Sequence, residues 1–168
     1  ASTIRSKCKE IGYKLNSDIP THYIHHRVLN IPYLSYHDKE IIGDIIKTNK
    51  NKKIGFIFNS IRAIEYFIDE IEFSNRRVLV LHGALDDHDR LKAEQKLFEG
   101  DYDIIVSNDI ISMSIDIDLD ILFTEPTDRL NLLLQRLGRC NRYNKPISSD
   151  NIYFIDSGIT PRFIDSEI

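Results

Sequence analysis

Ile54-Gly55-Phe56-Ile57-Phe58-Asn59-Ser60 is the stretch from which the fold can be read. Its five apolar residues form the short continuous run of a strand buried on both faces of a parallel sheet, and Asn59 and Ser60 are helix N-cap residues. A helix is expected at once. Ile61, Ile64, Phe67, Ile68 and Ile71 make one apolar stripe, with Arg62, Glu65, Asp69 and Glu70 elsewhere around it. The same grammar repeats downstream. Residues 77–81 read as a strand, His82-Gly83-Ala84-Leu85 as a loop, and Asp86 to Phe98 as a capped helix closed by Gly100. Residues 103–107 and 120–124 read as two more strands. Upstream, Ile41, Ile42, Ile45 and Ile46 give residues 38–48 a helical period, and residues 25–32 read as a strand ending at Pro32. Strands alternating with helices at these lengths predict right-handed βαβ units, hence an α/β fold with a mainly parallel sheet covered on both faces.

Composition limits the partners. The 168 residues, 42% of them hydrophobic, suit one domain with a real core. A net charge of -4 and a pI near 5.9 exclude a broad basic face, so any nucleic-acid contact must be local. Cys8 and Cys140 are too few for a disulfide framework, which favours a reducing, cytoplasmic setting. No apolar run reaches membrane length, and the polar start Ala1-Ser2-Thr3-Ile4-Arg5 is no signal peptide. The chain begins without methionine and is read as a piece of something longer. No metal is expected. His22, His25 and His26 have no cysteine or carboxylate close in sequence, and Asp116, Asp118 and Asp120 on one side of an extended segment fit a hard cation only weakly.

In parallel sheets ligands collect beyond the carboxyl ends of the strands, where Asn59-Ser60, His82-Gly83, Asn108-Asp109 and Thr124-Glu125 are expected. Backbone N–H groups of such turns can hold phosphates without basic side chains, which reconciles an acidic chain with a polyanionic partner. Closer to the C-terminus, Gln135-Arg136-Leu137-Gly138-Arg139-Cys140-Asn141-Arg142 adds a cationic edge behind Leu130, Leu132, Leu133 and Leu134. A guanidinium fork can hold two phosphate oxygens at once. Arg139 and Arg142, three apart and expected on one helical turn, could clamp a single phosphoryl group, with Gly138 letting the backbone come close.

These eight residues resemble motif VI of the superfamily 2 helicases, whose form is Gln or His, Arg, any, Gly, Arg, any, any, Arg. The order strand, Asn-Ser, helix, strand, His-Gly, helix, strand, Ser-Ile-Asp-Ile-Asp, strand, motif VI is similar to their second RecA-like domain over about residues 26–156. Ser114-Ile115-Asp116-Ile117-Asp118-Leu119-Asp120, followed by a Gln-type motif VI, most resembles the helicase half of the CRISPR-associated helicase-nuclease of type I systems. There the stretch typically reads Ser-Leu-Asp-Ile-Asp-Phe-Asp.

The resemblance implies a RecA-like three-layer α/β/α sandwich with about six strands. Residues 1–25 would be a linker or the end of a preceding segment, 26–157 the C-terminal helicase domain and 158–168 a truncated tail. It also implies roles. Arg139 and Arg142 would be arginine fingers on the γ-phosphate, and Gln135 a partner of the phosphates or the attacking water. Asp116, at the motif V aspartate, would help hold the ribose. Ser114, Gly138 and Arg136 complete the nucleotide-facing set, Arg136 by bracing the interface with a first domain. Asn59, Ser60, His82, Gly83, Asn108 and Asp109 would face the nucleic acid. Motif V departs from the family, with Asn108, Asp109 and Ser112 where Thr, Gln or Asp, and Glu are usual.

The chain has no Gly-Lys-Ser/Thr phosphate loop and no Asp-Glu-x-Asp/His box. ATP with Mg2+ would therefore be held by a first RecA-like domain of the same parent chain, and the isolated piece is expected to be inactive. Single-stranded DNA or RNA and a CRISPR effector complex are the other expected partners. Two alternatives remain open: an RNA helicase of the DExH or DEAD type, and a non-catalytic, helicase-shaped interaction module.

Overall fold

The computed structural model describes residues 33–35, 38–109, 117–143, 145–146 and 150–156. The strand expected over 25–32, the segments 1–25 and 158–168, and the site residues Ser114 and Asp116 lie outside them. The described elements are β1 (Tyr33–Ser35), α1 (Lys39–Thr48), β2 (Ile54–Ile57), α2 (Ile61–Glu70), β3 (Val78–Leu81), α3 (Asp87–Glu99), β4 (Ile104–Ser107), β5 (Ile121–Thr124), α4 (Leu130–Leu137) and β6 (Ile152–Asp156).

The six strands form one sheet in the order β1-β6-β5-β2-β4-β3, and every neighbouring pair is parallel. Side chains alternate across it. Ile54, Phe56, Phe58, Ile104, Val106, Ile121 and Phe123 join Ile42, Ile46, Ile64 and Phe67 of α1 and α2 on one face. Ile57, Ile105 and Leu122 join Ala93 and Leu97 of α3, with Leu119 and Cys140, on the other. This period of two on both faces makes three layers and explains why the strands read as unbroken apolar runs. Phe56 stacks on Phe123 at 4.5 Å and Phe123 on Tyr153 at 4.7 Å, an aromatic row across three strands.

Local chemistry sets the ends of the helices. Ser60 caps α2 by accepting the Ala63 N–H, and Asp86 caps α3 by accepting the Asp89 N–H. Gly100 closes α3 in the left-handed region at φ 70°. Gly55 serves packing instead. A Cβ there would lie 2.3 Å from Leu119 Cδ1, so the missing side chain lets Leu119 rest on the sheet.

Two expectations are amended. The fifth and sixth strand positions are filled by β1 and by β6, neither read from the sequence pattern. In addition, the apolar run before the arginines is not wholly buried: Leu132 and Leu133 face inward, whereas Leu130 and Leu134 are exposed.

Candidate functional site

In the strand order β5-β2-β4, β2 leads on to β3 on one side whereas β4 and β5 lead on toward the other, so the crevice beyond their carboxyl ends is a topological switch point of the sheet. The chain's own arginine fills it. Arg136 is fully buried, and its guanidinium makes five hydrogen bonds within the domain. Nε and Nη2 donate to Asp109 Oδ1 at 2.8 and 2.5 Å, and Nη2 also donates to Asn59 Oδ1 at 2.9 Å. Nη1 donates to Thr124 Oγ1 at 3.2 Å and to the Glu125 carbonyl at 3.0 Å. Buried Glu125 completes the set by accepting the Asn59 N–H at 2.5 Å, and Asn59 Nδ2 donates to the Pro126 carbonyl. One cation thus ties the ends of three strands to α4.

Arg136 was expected to brace the interface with a first domain; in the described fold its guanidinium donors are directed within the domain. The signal was in the sequence: Arg136 follows Leu132 by four and Leu133 by three, which puts all three on one helix face. Thr124 and Glu125, passed over as site residues, are the groups that receive it.

The other carboxyl-edge residues gather as expected. Asn59 remains exposed beside its contacts, Ser60 is half-buried as the α2 cap, and Gly83 is exposed at the end of β3. His82 Nδ1 accepts the Ala84 N–H at 3.3 Å. Ser107 is buried and donates to the Leu81 carbonyl, fixing the ends of β3 and β4 just before half-buried Asn108. Arg129 approaches Asp109 from outside at 3.8 Å.

Arg139 and Arg142 lie at the opposite end of the sheet. α4 spans about 12 Å, roughly the length of a four-residue strand, and stops at Leu137. Beyond it Cys140 forms a parallel bridge with Leu119, two residues before β5. The Leu119 N–H donates to the Arg139 carbonyl at 2.8 Å, and the Asn141 N–H to the Leu119 carbonyl at 2.7 Å. The two arginines therefore do not share a helical turn. They flank a strand-like bridge at the amino edge, Arg139 half-buried and Arg142 exposed. Had the helix continued, Arg139 would have followed Arg136 by three and turned toward the sheet. Gly138 is exposed with ordinary helical angles, and its N–H still donates to the Leu134 carbonyl at 2.9 Å. Gln135 is exposed on the outer face of α4.

Cys140 anchors the bridge. Its thiol is fully buried, hydrogen-bonded to the Asn151 carbonyl and side chain at 3.4 Å, and burial pushes it up to about 12, so it stays protonated and inert at neutral pH. Asp118 accepts the Arg142 N–H at 2.7 Å and pairs with Lys145, which also reaches Asp120. Among the described residues no cluster of metal-ligating side chains forms, and no helix is long and apolar enough to cross a membrane.

Residues 50–145, more than half of the chain, match the family described as CRISPR-associated nuclease/helicase Cas3, C-terminal. The chain belongs to this Cas3-like family. Its fold is the RecA-like α/β fold of helicase C-terminal domains. It is similar to T. fusca Cas3 crystallised with ATP, at 14% identity and TM-score 0.54, covering 77% of this chain and 17% of that one. It is equally similar to a DEAD box protein from Methanococcus jannaschii, at 20% identity and TM-score 0.57, over 75% of this chain and 35% of that one. Among curated relatives, the ATP-dependent helicase Lhr-Core of Sulfolobus acidocaldarius is 31% identical over 93 residues, 54% of this chain and 10% of its own length. The Cas3-like chain spans between 10% and 19% of the curated relatives it matches.

Proposed function

We propose that the chain is the second RecA-like half of an ATP-dependent nucleic-acid translocase of Cas3 type, acting with a first RecA-like domain in the same parent protein. The observation that carries the reading is the division of labour inside motif VI. Arg136 is spent on the fold, whereas Gln135, Arg139 and Arg142 reach the surface on a backbone that the sheet itself fixes.

ATP, which a first domain would hold with Mg2+, would supply the γ-phosphoryl group, with water as the nucleophile and ADP as the leaving group. Arg139 and Arg142 neutralise the charge that spreads over the phosphoryl oxygens as water attacks, and Gln135 orients that water or a phosphate oxygen. Gly138 lies exposed on this face; Ser114 and Asp116, which the family resemblance assigns to the nucleotide, lie outside the described residues. At the far edge the loops that carry Asn59, Ser60, His82, Gly83, Asn108 and Asp109 face single-stranded nucleic acid, with Asn59 and Asp109 shaping that edge through their contacts with Arg136. A nucleotide at one edge and a strand at the other are what a translocase needs, because closing the cleft then shifts the strand-holding edge. DNA in CRISPR interference, in the cytoplasm, is the setting favoured by the family match. An RNA helicase reading draws on Asp109 in motif V and on the similarity to "ATP-dependent RNA helicase has1" of Aspergillus terreus.

The test is ATP hydrolysis by the parent protein with single-stranded DNA or RNA, comparing wild type with Arg139→Ala. Turnover stimulated by DNA and abolished by the substitution is the expected result. Stimulation by RNA alone would replace DNA as the substrate, and an indifferent arginine would leave a helicase-shaped binding module.

A further inference from the structure

Both nucleotide-facing arginines owe their backbone position to a short template that itself needs a cation. Asp118 Oδ1 accepts the Arg142 N–H at 2.7 Å, and the Leu119 N–H donates to the Arg139 carbonyl at 2.8 Å, so residues 118 and 119 hold both. Asp118 and Asp120 lie on one side of this template and would repel each other. Lys145 joins them, its Nζ standing 2.9 Å from Asp118 Oδ2 and 3.0 Å from Asp120 Oδ1. The lysine is placed from behind: its N–H donates to Asn141 Oδ1 at 2.8 Å, and its carbonyl accepts from Asn141 Nδ2 at 3.1 Å. Asn141, almost fully buried and at φ 52°, is one of the two residues between the arginines, and it closes this loop. Asp120 is tied down in turn by the Lys53 N–H at 2.8 Å. The result is a closed circuit running Asp118, Lys145, Asn141 and back through Arg142.

We propose that Lys145, acting through Asp118, is a positioning residue for Arg142 and Arg139 in ATP hydrolysis. The inference rests on the reading that these arginines meet the phosphates. Both carboxylates hold the Lys145 ammonium above its ordinary pKa, so the latch stays charged at neutral pH. Displacing a catalytic group by as little as 1 Å can cost about 10²-fold in rate, and the loss falls on kcat because the arginines act on charge that develops in the transition state.

The experiment uses the parent protein with ATP and single-stranded DNA, measuring kcat and KM for Lys145→Met, Lys145→Arg, Asp118→Asn and Arg139→Ala. Lys145→Met should lower kcat about 10- to 100-fold with KM for ATP unchanged. Lys145→Arg, whose fork spans both carboxylates, should recover most of it. Asp118→Asn, which keeps an acceptor for the Arg142 N–H but not the charge, should fall between. Because Lys145 is half-exposed, the melting point of Lys145→Met should move little. If Lys145→Met keeps wild-type kcat while Arg139→Ala is inactive, or if arginine rescues nothing, the latch is overturned and the fingers stand. If Arg139→Ala turns over like wild type, the finger reading fails and takes the latch with it.

Discussion

At the carboxyl edge of the sheet a single buried guanidinium ties three strand ends together; at the amino edge the strands are held by ion pairs that water can reach. Arg136 is wholly enclosed, and its partners Asp109 and Glu125 lie past the ends of β4 and β5, on either side of β2. Arg77, by contrast, is more than half exposed where it pairs with Asp101 and Asp103, as is the junction of Lys145 with Asp118 and Asp120 at its lysine end. The physics differs accordingly. A buried charge cannot lose its partners without leaving others unpaired in a low dielectric, whereas an exposed pair gains little and is screened by salt. The carboxyl edge is thus held by a buried charge, and the amino edge, which carries the two surface arginines of motif VI, by backbone hydrogen bonds and half-exposed ion pairs.

The comparison breaks most visibly under substitution of its two kinds of arginine. Arg139→Ala in the parent protein should lower kcat for ATP by about 10³- to 10⁵-fold while folding stability stays within about 0.5 kcal/mol, read by steady-state turnover and urea melts. Arg136→Met should do the reverse in kind, destabilising the domain by about 3–5 kcal/mol because Asp109, Asn59 and Thr124 lose their shared donor. Ser60→Ala sharpens the picture at the carboxyl edge. Loss of the cap should cost about 1 kcal/mol, and any weakening of strand binding beyond that loss would mark the hydroxyl as a nucleic-acid contact.

The smallest effect belongs to the amino edge. The Arg77 guanidinium holds the Asp103 carboxyl down at about 2, below the usual carboxylate range. A carboxylate depressed on folding contributes stability that is fully present above the unfolded pKa of about 4 and is lost as pH falls through the folded value. The melting-point difference between wild type and Asp103→Asn should therefore be constant near neutrality and shrink between about pH 4 and pH 2. High salt should narrow it as well.

Much of the fold was legible because its signals are local. The run from Ile54 to Phe58, the Ser60 and Asp86 caps and Gly100 each act within a few residues, and the helices begin and end where they direct. β6 was not read as a strand, although it lies on the apolar run Ile152-Tyr153-Phe154-Ile155, because it stood outside the repeating grammar of the segments before it. β1, only three residues long and immediately after Pro32, offers no period at all. The arginines were harder. Nothing near Gly138 announces that α4 must stop, because what stops it is the bridge from Cys140 to Leu119, distant in sequence. Likewise, a switch point filled from within by Arg136 depends on four segments meeting, and only the spacing from Leu132 and Leu133 hinted at it. Lys145 gave no sign, since its partners Asp118 and Asp120 lie on another segment.

The account stands on the claim that motif VI is split, one arginine belonging to the fold and two to the chemistry. Urea denaturation of the 168-residue chain carrying Arg136→Met beside the same chain carrying Arg139→Met tests this most directly. The split predicts a loss of about 3–5 kcal/mol for the first and no more than about 0.5 kcal/mol for the second. Equal losses, or a larger one at Arg139, would contradict it.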